Sequence, residues 1–213
     1  MRHKHSVASV LIGLTVALPP VYGLAQVADT EPTEPGGESI EGAATPEITD
    51  GASARAIHLD DLFARLADPE NPDWANVQNQ IWEAWSESGS ASMDLLLFRA
   101  TEAMDGRDFD VALTHLDDLV RLAPDFAEGW NKRATVYFLQ GDYGESVADI
   151  QRTLALEPRH FGALSGLGII LDRLGDEAGA LQAYRRVAEI HPNMEAAQQA
   201  IERLSPEVDG REL

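Results

Sequence analysis

The sequence predicts an all-α fold in which helix–turn–helix pairs stack side by side. First, prolines recur at an interval of 34 residues, at Pro124, Pro158 and Pro192. Second, the apolar residues between them follow the three-to-four-residue spacing of amphipathic helices. Third, 213 residues with 44% hydrophobic content are enough to form a core. Because a single helix pair is too thin to bury its own apolar face, neighbouring pairs must pack against each other.

Small residues recur in phase with the prolines, and larger apolar residues stand beside them at helical spacing. A small side chain is required where two helices approach closely, since a bulky one would push the backbones apart. Larger residues then fill the space beside each close contact. The residues that we assign to these structural repeat positions are Ala100, Ala112, Pro124, Trp130, Ala134, Tyr137, Ser146, Pro158, Gly168, Ala180, Tyr184 and Pro192.

The helix boundaries carry their own signals. Asp108, Asp142 and Asp176 also lie 34 residues apart, each before the second helix of a pair, where an aspartate can cap the helix N-terminus. Each proline lies just beyond a second helix, where it disturbs no helical hydrogen bond.

This combination resembles the tetratricopeptide repeat (TPR), a helix–turn–helix unit with the pattern W-x2-L-G-x2-Y…A-x3-F…P. The resemblance covers residues 59–204 and is most specific over residues 93–192. It implies a right-handed α-solenoid, and we identify the chain as similar to bacterial, exported TPR proteins. The predicted domain at residues 58–206 contains a degenerate repeat at 59–92, repeats at 93–126, 127–160 and 161–194, and a capping helix at 193–205. A frayed tail at residues 207–213 is expected to follow it.

Residues 1–25 have the composition of a secretory signal peptide. Arg2 and Lys4 provide a cationic start, residues 7–18 an apolar run, and cleavage is expected after Ala25. An uncleaved anchor is the alternative, although this run is shorter than the ~20 residues that span a bilayer. We therefore expect an exported, periplasmic protein with no membrane span after cleavage.

Residues 26–57 form an acidic segment rich in proline and glycine. Such a segment buries too little apolar surface to offset its chain entropy, so we expect a disordered linker. It can act as a spacer or partner-binding tail, or have no specific partner.

The degenerate repeat at residues 59–92 contains three of the four tryptophans of the chain. A short apolar helix ends near Pro69 and Pro72, and a second one carries Trp74, Trp82 and Trp85. One interpretation is a cap that closes the first end of the stack. The other is an exposed aromatic binding surface.

The composition excludes several functions. A formal net charge of −20 disfavours binding to nucleic acid, and the absence of cysteine removes thiolate metal sites and nucleophiles. His160 and His191 stand beside prolines without a second ligand at metal-binding spacing, so a solvated or capping role is expected. We predict no catalytic residue, no metal, no cofactor and no small-molecule substrate.

The TPR resemblance implies that the first helices of successive pairs line a concave groove for a protein or peptide partner. Arg99 and Arg133 lie near this groove, where they can bind an acidic group or pair with carboxylates of neighbouring helices. The carboxylate clamp of chaperone-binding TPR domains is not matched. By helical phase, the partner-binding groove residues are Leu97, Thr101, Met104, Asn131, Lys132, Thr135, Phe138, Ser165, Ile169 and Asp172.

Two hypotheses on function follow. The first is a non-catalytic protein–protein interaction module in the cell envelope that holds a partner in this groove. The second is a structural or oligomerising subunit of an envelope complex that uses the tryptophan-rich first unit. The sequence names neither the partner nor the oligomeric state.

Overall fold

The structure, a computed structural model, describes residues 48–210, with side chains described for 54–206 and 208–210. The predicted signal peptide, the linker up to residue 47 and residues 211–213 lie outside this range. Within it the chain contains helices and no strand, so the predicted all-α fold is confirmed. The helices are α1 (Ile48–Leu66), α2 (Trp74–Ser86), α3 (Ala91–Asp105), α4 (Phe109–Leu122), α5 (Ala127–Gln140), α6 (Tyr143–Leu156), α7 (Phe161–Arg173), α8 (Glu177–Ile190) and α9 (Glu195–Asp209).

The three predicted repeats form the pairs α3–α4, α5–α6 and α7–α8, and each second helix begins after its aspartate. The carboxylate of Asp108 accepts a hydrogen bond from the Val111 amide, and that of Asp176 accepts one from the Gly179 amide. Asp142 stands at the same position without a side-chain cap bond. The local sequence therefore sets the helix starts as predicted.

The two helices of each pair meet at small residues. The Ser146 hydroxyl donates a 2.8 Å hydrogen bond to the Ala134 carbonyl across the α5–α6 contact. In the next pair, a Cβ added at Gly168 would lie 2.8 Å from the Tyr184 ring, which leaves room for no larger residue. Successive pairs also pack closely, since a Cβ at Gly129 of α5 would lie 3.2 Å from Leu119 of α4.

The first helix pair starts earlier than predicted. Helix α1 begins at Ile48, so residues 48–57, which we expected in the disordered linker, are helical. The apolar residues Leu62 and Leu66 lie further along the same helix and are fully buried. Their burial anchors the helix, and the preceding residues extend it without an internal proline or a break.

The α1–α2 hairpin does not cap the first end of the stack, so that interpretation is wrong. Its buried side chains, including Leu66 and Ile81, belong to one core cluster with Phe161 of α7, Leu181 of α8 and Leu204 of α9. The hairpin thus packs against the last repeat and the terminal helix. The aromatic rings of α2 fit there because Gly162 of α7 leaves space for Trp82.

The terminal helix continues through the proline that we expected to end it. Helix α9 runs from Glu195 to Asp209 with Pro206 inside it, so the predicted end at residue 205 is wrong. The proline removes only one backbone donor. Leu204 is fully buried and Val208 packs on the same core cluster, so the apolar face continues past the proline. None of the helices within residues 48–210 is both long and apolar enough to cross a membrane.

Candidate partner-binding site

A cavity of about 240 Å³ lies between α5, α6 and α7. Its lining is mostly apolar, with a few short polar side chains. Apolar concavities of this kind bind ligands by burying hydrophobic surface, and their few polar groups orient the ligand. The lining residues are Asn131, Ala134, Thr135, Phe138, Ser146, Ile150, Gly162, Ala163, Ser165, Gly166, Ile169 and Ile170.

The hydroxyl groups of this cavity are already hydrogen-bonded within the helices. Thr135 donates to the Asn131 carbonyl at 2.9 Å, and Ser165 donates to the Phe161 carbonyl at 2.7 Å. Each hydroxyl therefore has no proton left to donate, and the cavity favours an apolar group. Ile169, with 38% of its surface exposed, can be reached directly from solvent.

A cation lies beside the cavity at Phe138. The guanidinium carbon of Arg173 lies 4.7 Å from the centroid of the Phe138 ring, and one of its nitrogens donates to the Tyr143 hydroxyl at 2.9 Å. Neither contact neutralises the charge of Arg173, which is exposed. An anionic group of a ligand can therefore pair with Arg173 next to the apolar cavity.

The opposite end of the cavity is bordered by the α1–α2 hairpin. Gly162 lines the cavity, and a Cβ added there would lie only 2.5 Å from the Trp82 indole. Trp82 also packs edge-on against Phe161, with ring centroids 5.2 Å apart. The hairpin thus covers the start of α7 next to the candidate site.

A buried polar network underlies this contact. The carboxylate of Glu128, which is 1% exposed, accepts hydrogen bonds at 3.0 Å from Asn131 and from the Nε2–H of His160. The Nδ1 atom of His160 accepts the Ala163 amide at 3.1 Å, so it carries no proton and the ring is neutral. Trp85 stacks on this imidazole at 4.0 Å with an interplanar angle of 7°. His160 caps α7 as predicted, but it is buried rather than solvated.

His191 makes the second contact between the hairpin and a turn of the stack. Its Nε2 lies 2.7 Å from the Gln78 amide oxygen of α2, and Trp74 packs against the imidazole ring. The Nδ1 atom is buried and has no hydrogen-bond partner within the part of the chain that the structure describes. Burial lowers the pKa of His191 from its ordinary value of 6.5, because a protonated ring would be desolvated.

Protonation of His191 is expected to destabilise the fold in acid. The unfolded chain binds this proton more readily than the folded one. The contribution of His191 to the free energy of unfolding is therefore fully present above pH 6.5 and is lost as the pH drops below it. For one proton, the free energy of unfolding changes by at most ~1.4 kcal/mol per pH unit. Chemical unfolding of the wild type and of His191→Gln between neutral and mildly acidic pH would measure it. We expect the free energy of unfolding of His191→Gln to depend less steeply on pH than that of the wild type.

Arg133 pairs with carboxylates inside the chain. Its guanidinium donates to both carboxylate oxygens of Asp149 at 2.7 and 2.8 Å and to Asp117 at 2.8 Å. These bonds raise its pKa further above the ordinary value. Of the two alternatives for this arginine, the structure shows the internal ion pair. Arg99, one repeat earlier, is exposed.

The structure brings five of the ten predicted groove residues to the cavity: Asn131, Thr135, Phe138, Ser165 and Ile169. The other five lie elsewhere. Leu97 is only 5% exposed and packs in the core around α3 and α4, so its assignment to the groove surface is wrong.

The remaining predicted groove residues have intermediate exposure. Thr101 bonds its own helix at the Leu97 carbonyl, and Met104 packs on the core around α3 and α4. Lys132 lies 3.4 Å from the Glu128 carboxylate, and Asp172 pairs with Arg203 of α9 at 2.6 Å. The charges of Lys132 and Asp172 are thus balanced within the chain.

Glu128, the burial of His160 and the Arg173–Tyr143 contact were not predicted from the sequence. No local signal identified them, because each depends on a partner far along the chain or in the next repeat. The structure describes, within residues 48–210, no group of three histidines, cysteines or acidic residues that could hold a metal ion.

A stack of helix pairs with a lateral apolar cavity defines a repeat protein of the α-solenoid class. The tetratricopeptide repeat family model matches residues 99–152 and 133–195. A TPR repeat-containing protein of Rhizobium etli is 39% identical over 165 residues, which are 77% of this chain and 81% of that protein. The chain belongs to the tetratricopeptide repeat family.

More distant similarities agree on the fold. Small glutamine-rich tetratricopeptide repeat-containing protein 2 of Saccharomyces cerevisiae is 25% identical over 155 residues, which are 71% of this chain but only 44% of that protein. The structure of the first TPR of Spaghetti (RPAP3) bound to an HSP90 peptide has a TM-score of 0.52 and 20% identity. That match covers 55% of this chain and 93% of the other and shows a common fold.

Proposed function

We propose that this chain is a non-catalytic protein–protein interaction module that binds a peptide or protein partner in the cavity between α5, α6 and α7. The observation that carries the proposal is the cavity itself, which has an apolar lining and an accessible Ile169. A TPR domain of similar fold has been solved with a bound HSP90 peptide, which supports peptide binding as the function of this chain.

The chemistry of the cavity indicates the kind of segment it accepts. An apolar side chain would fill the space between Phe138 and Ile169, and a carboxylate beside it would pair with Arg173. Lys132 and Arg133 contribute little to recognition, because Glu128 and Asp149 already balance their charges. The partner segment therefore combines an apolar anchor with a neighbouring acidic group.

We place this activity in the cell envelope, on the basis of the signal-peptide composition of residues 1–25. The partner would then be an exported or membrane-anchored protein that exposes an extended or helical segment to the periplasm. This location rests on the sequence alone, and detection of the mature N-terminus by mass spectrometry in a periplasmic fraction would test it.

The alternative role as an oligomerising subunit requires tryptophan rings at the surface. Trp85 is only 7% exposed, and Trp82 packs against His160 and Phe161 of the same chain. The surface on which that hypothesis relied is thus largely used within the monomer, and the interaction module is the better-supported function.

Replacing Ile169 with glutamate is expected to weaken peptide binding at least ~10-fold, because a carboxylate at the cavity mouth must be desolvated when an apolar anchor enters. Peptides selected on the wild-type protein from a displayed library are the probe, and calorimetric titration is the measurement. Leu174→Glu is the matched control, since Leu174 is 63% exposed and does not line the cavity.

Both variants must first show the helical content of the wild type. Equal affinity of the selected peptides for Ile169→Glu and wild type would exclude the cavity as their binding site. If Arg173→Gln lowers the affinity only for peptides that contain a carboxylate, that result would support the proposed position of the acidic group.

A further inference from the structure

The first repeat exposes a helix face that is covered in every later repeat. On α3, Leu95 is 46% and Phe98 58% exposed. The position of Leu95 is taken one, two and three repeats later by Gly129, Ala163 and Ala197. All three of these are buried.

In the later repeats, this face packs against the second helix of the preceding pair. At α5 the covering helix is α4, which places Leu119 against Gly129 and Asp117 at 2.8 Å from Arg133. Among the helices of residues 48–210, none covers this face of α3, because α2 lies against α1, α5 and α7 instead. A site for one more helix is therefore open at the first end of the stack.

The repeat register identifies the helix that fits this site. One repeat length before Leu119 and Asp117 stand Trp85 and Glu83 of α2, and one repeat length before Arg133 stands Arg99 of α3. Glu83 and Arg99 are both exposed in the observed arrangement. Helix α2 thus carries an apolar residue and a carboxylate at the two positions that the α3 face requires.

The connections are also compatible. Four residues, 87–90, join α2 to α3, and four residues, 123–126, join α4 to α5. The connection is therefore long enough for α2 to lie along α3, but at a wider spacing than between α4 and α5, because Leu95 and Trp85 stand where the smaller Gly129 and Leu119 meet. Gly89 has a positive φ of 83° in the connection, and glycine accommodates such a backbone change at little cost.

The observed contact of the hairpin leaves polar atoms unsatisfied. The indole Nε1 of Trp85 and the Nδ1 of His191 are buried and have no hydrogen-bond partner among the described residues. The Glu128 Oε1 also lacks a hydrogen bond, although Lys132 lies 3.4 Å away as an ion pair. Each unsatisfied group raises the free energy of this arrangement, so a second position can compete with it.

We propose that the α1–α2 hairpin has a second docking site in its own chain, the Leu95–Phe98 face of α3, where Glu83 pairs with Arg99. The hairpin moves between this site and the observed one on the last repeat. The short tether favours α2 of the same chain over that of a second copy, which also carries a net charge of −20. The move uncovers Phe161 and Gly162 beside the cavity, a consequence for partner access that rests on the proposed function.

Cross-linking can detect both positions directly, because the native chain contains no cysteine. A cross-link in the double variant with Glu83→Cys and Arg99→Cys indicates that the hairpin occupies the second site. The pair Asp60→Cys with Arg159→Cys reports the observed one, where these two side chains lie 2.7 Å apart. The full mature chain is treated with a short bismaleimide at low protein concentration, and the products are separated by gel electrophoresis and mapped by mass spectrometry.

We expect both double variants to form cross-links within single chains. The cross-link should form more slowly in the variant that carries Glu83→Cys and Arg99→Cys. The matched control is Asn76→Cys with Arg99→Cys, since Asn76 is exposed on α2 but stands two helical turns from Glu83. The proposal would be overturned if the Glu83–Arg99 cross-link formed no faster than the cross-link of this control while the Asp60–Arg159 cross-link formed normally. Products that join only two chains would also overturn it.

A further variant tests the apolar part of the site. The third substitution Leu95→Asp is introduced into the variant that carries Glu83→Cys and Arg99→Cys. It should slow the intramolecular cross-link at least ~10-fold, because a carboxylate would face the Trp85 indole. The same substitution should leave the Asp60–Arg159 cross-link unchanged, which also shows that the fold is intact. Undiminished cross-linking at Glu83 would contradict the proposed contact. No partner is needed, so failure here leaves the peptide-binding proposal standing.

Discussion

Replacement of Asp149 by alanine is expected to lower the free energy of unfolding by about 3 kcal/mol, near the lower end of the range for breaking a buried ion pair. The Asp149 side chain is 6% exposed, and it accepts two hydrogen bonds from Arg133. The Arg133 side chain is itself only 17% exposed. Without Asp149, its charge would remain desolvated with only the partly exposed Asp117 as an ionic partner.

Chemical unfolding followed by circular dichroism measures this loss, and the same arginine offers an internal control. Asp117 binds Arg133 equally closely but is 58% exposed, so Asp117→Ala should cost less than ~1 kcal/mol. The double variant Arg133→Met with Asp149→Leu should recover much of the loss, since it removes both charges. Equal destabilisation by the two alanine variants would mean that burial does not determine the strength of this ion pair.

Replacement of Trp85 by alanine is expected to cost about 3–5 kcal/mol. The indole is 7% exposed and stacks on His160, and it also contacts Phe63 and Phe161 with ring centroids 5.8 and 5.0 Å away. Removing it leaves a cavity between the hairpin and α7 and takes away most of the cover of the neutral imidazole. The loss of packing therefore acts on both sides of the interface.

The same unfolding experiment with Trp74→Ala provides the comparison. Trp74 is only partly buried, with a tilted contact to His191 at 5.4 Å, so a smaller loss of about 1–2 kcal/mol is expected. If Trp85→Ala were no more destabilising than Trp74→Ala, the stacked arrangement at His160 would not hold the hairpin in solution.

The sequence was most informative where structure depends on neighbours in the chain. Asp108 and Asp176 cap their helices as predicted, and the second helices end two residues before the prolines. Such signals act within a few residues, so they can be recognised without knowing the tertiary fold. The same holds for the repeat period, since the three regular pairs pack mainly on their neighbours in the chain.

The position of the hairpin could not be predicted in this way. Its register places it before α3, yet Trp82 and Trp85 contact residues more than two repeat lengths further on. Selection between two apolar faces depends on details such as the space left by Gly162, which periodicity does not reveal. Long-range packing thus outweighed the order of the repeats.

Helical phase predicted the cavity residues of α5 and α7 better than those of α3. Leu97 occupies the same repeat position as Asn131, and both are largely buried. Asn131 still reaches the cavity beside the Glu128 carboxylate, whereas the larger apolar side chain of Leu97 is drawn into the core around α3 and α4. The position of a residue around a helix sets the direction of its side chain but not how deeply that side chain packs.

The contact between the hairpin and the last repeat also changes how this array is expected to unfold. An open array of repeats is held by nearest-neighbour contacts, so either end can fray independently. Here Asp60 bonds Arg159 and Gln78 bonds His191, across 99 and 113 residues of chain. These contacts tie the start of the array to its end, so loss of the terminal repeat also releases the first helices. The array should therefore unfold more cooperatively, and its folding should be slowed by the late closure of these distant contacts.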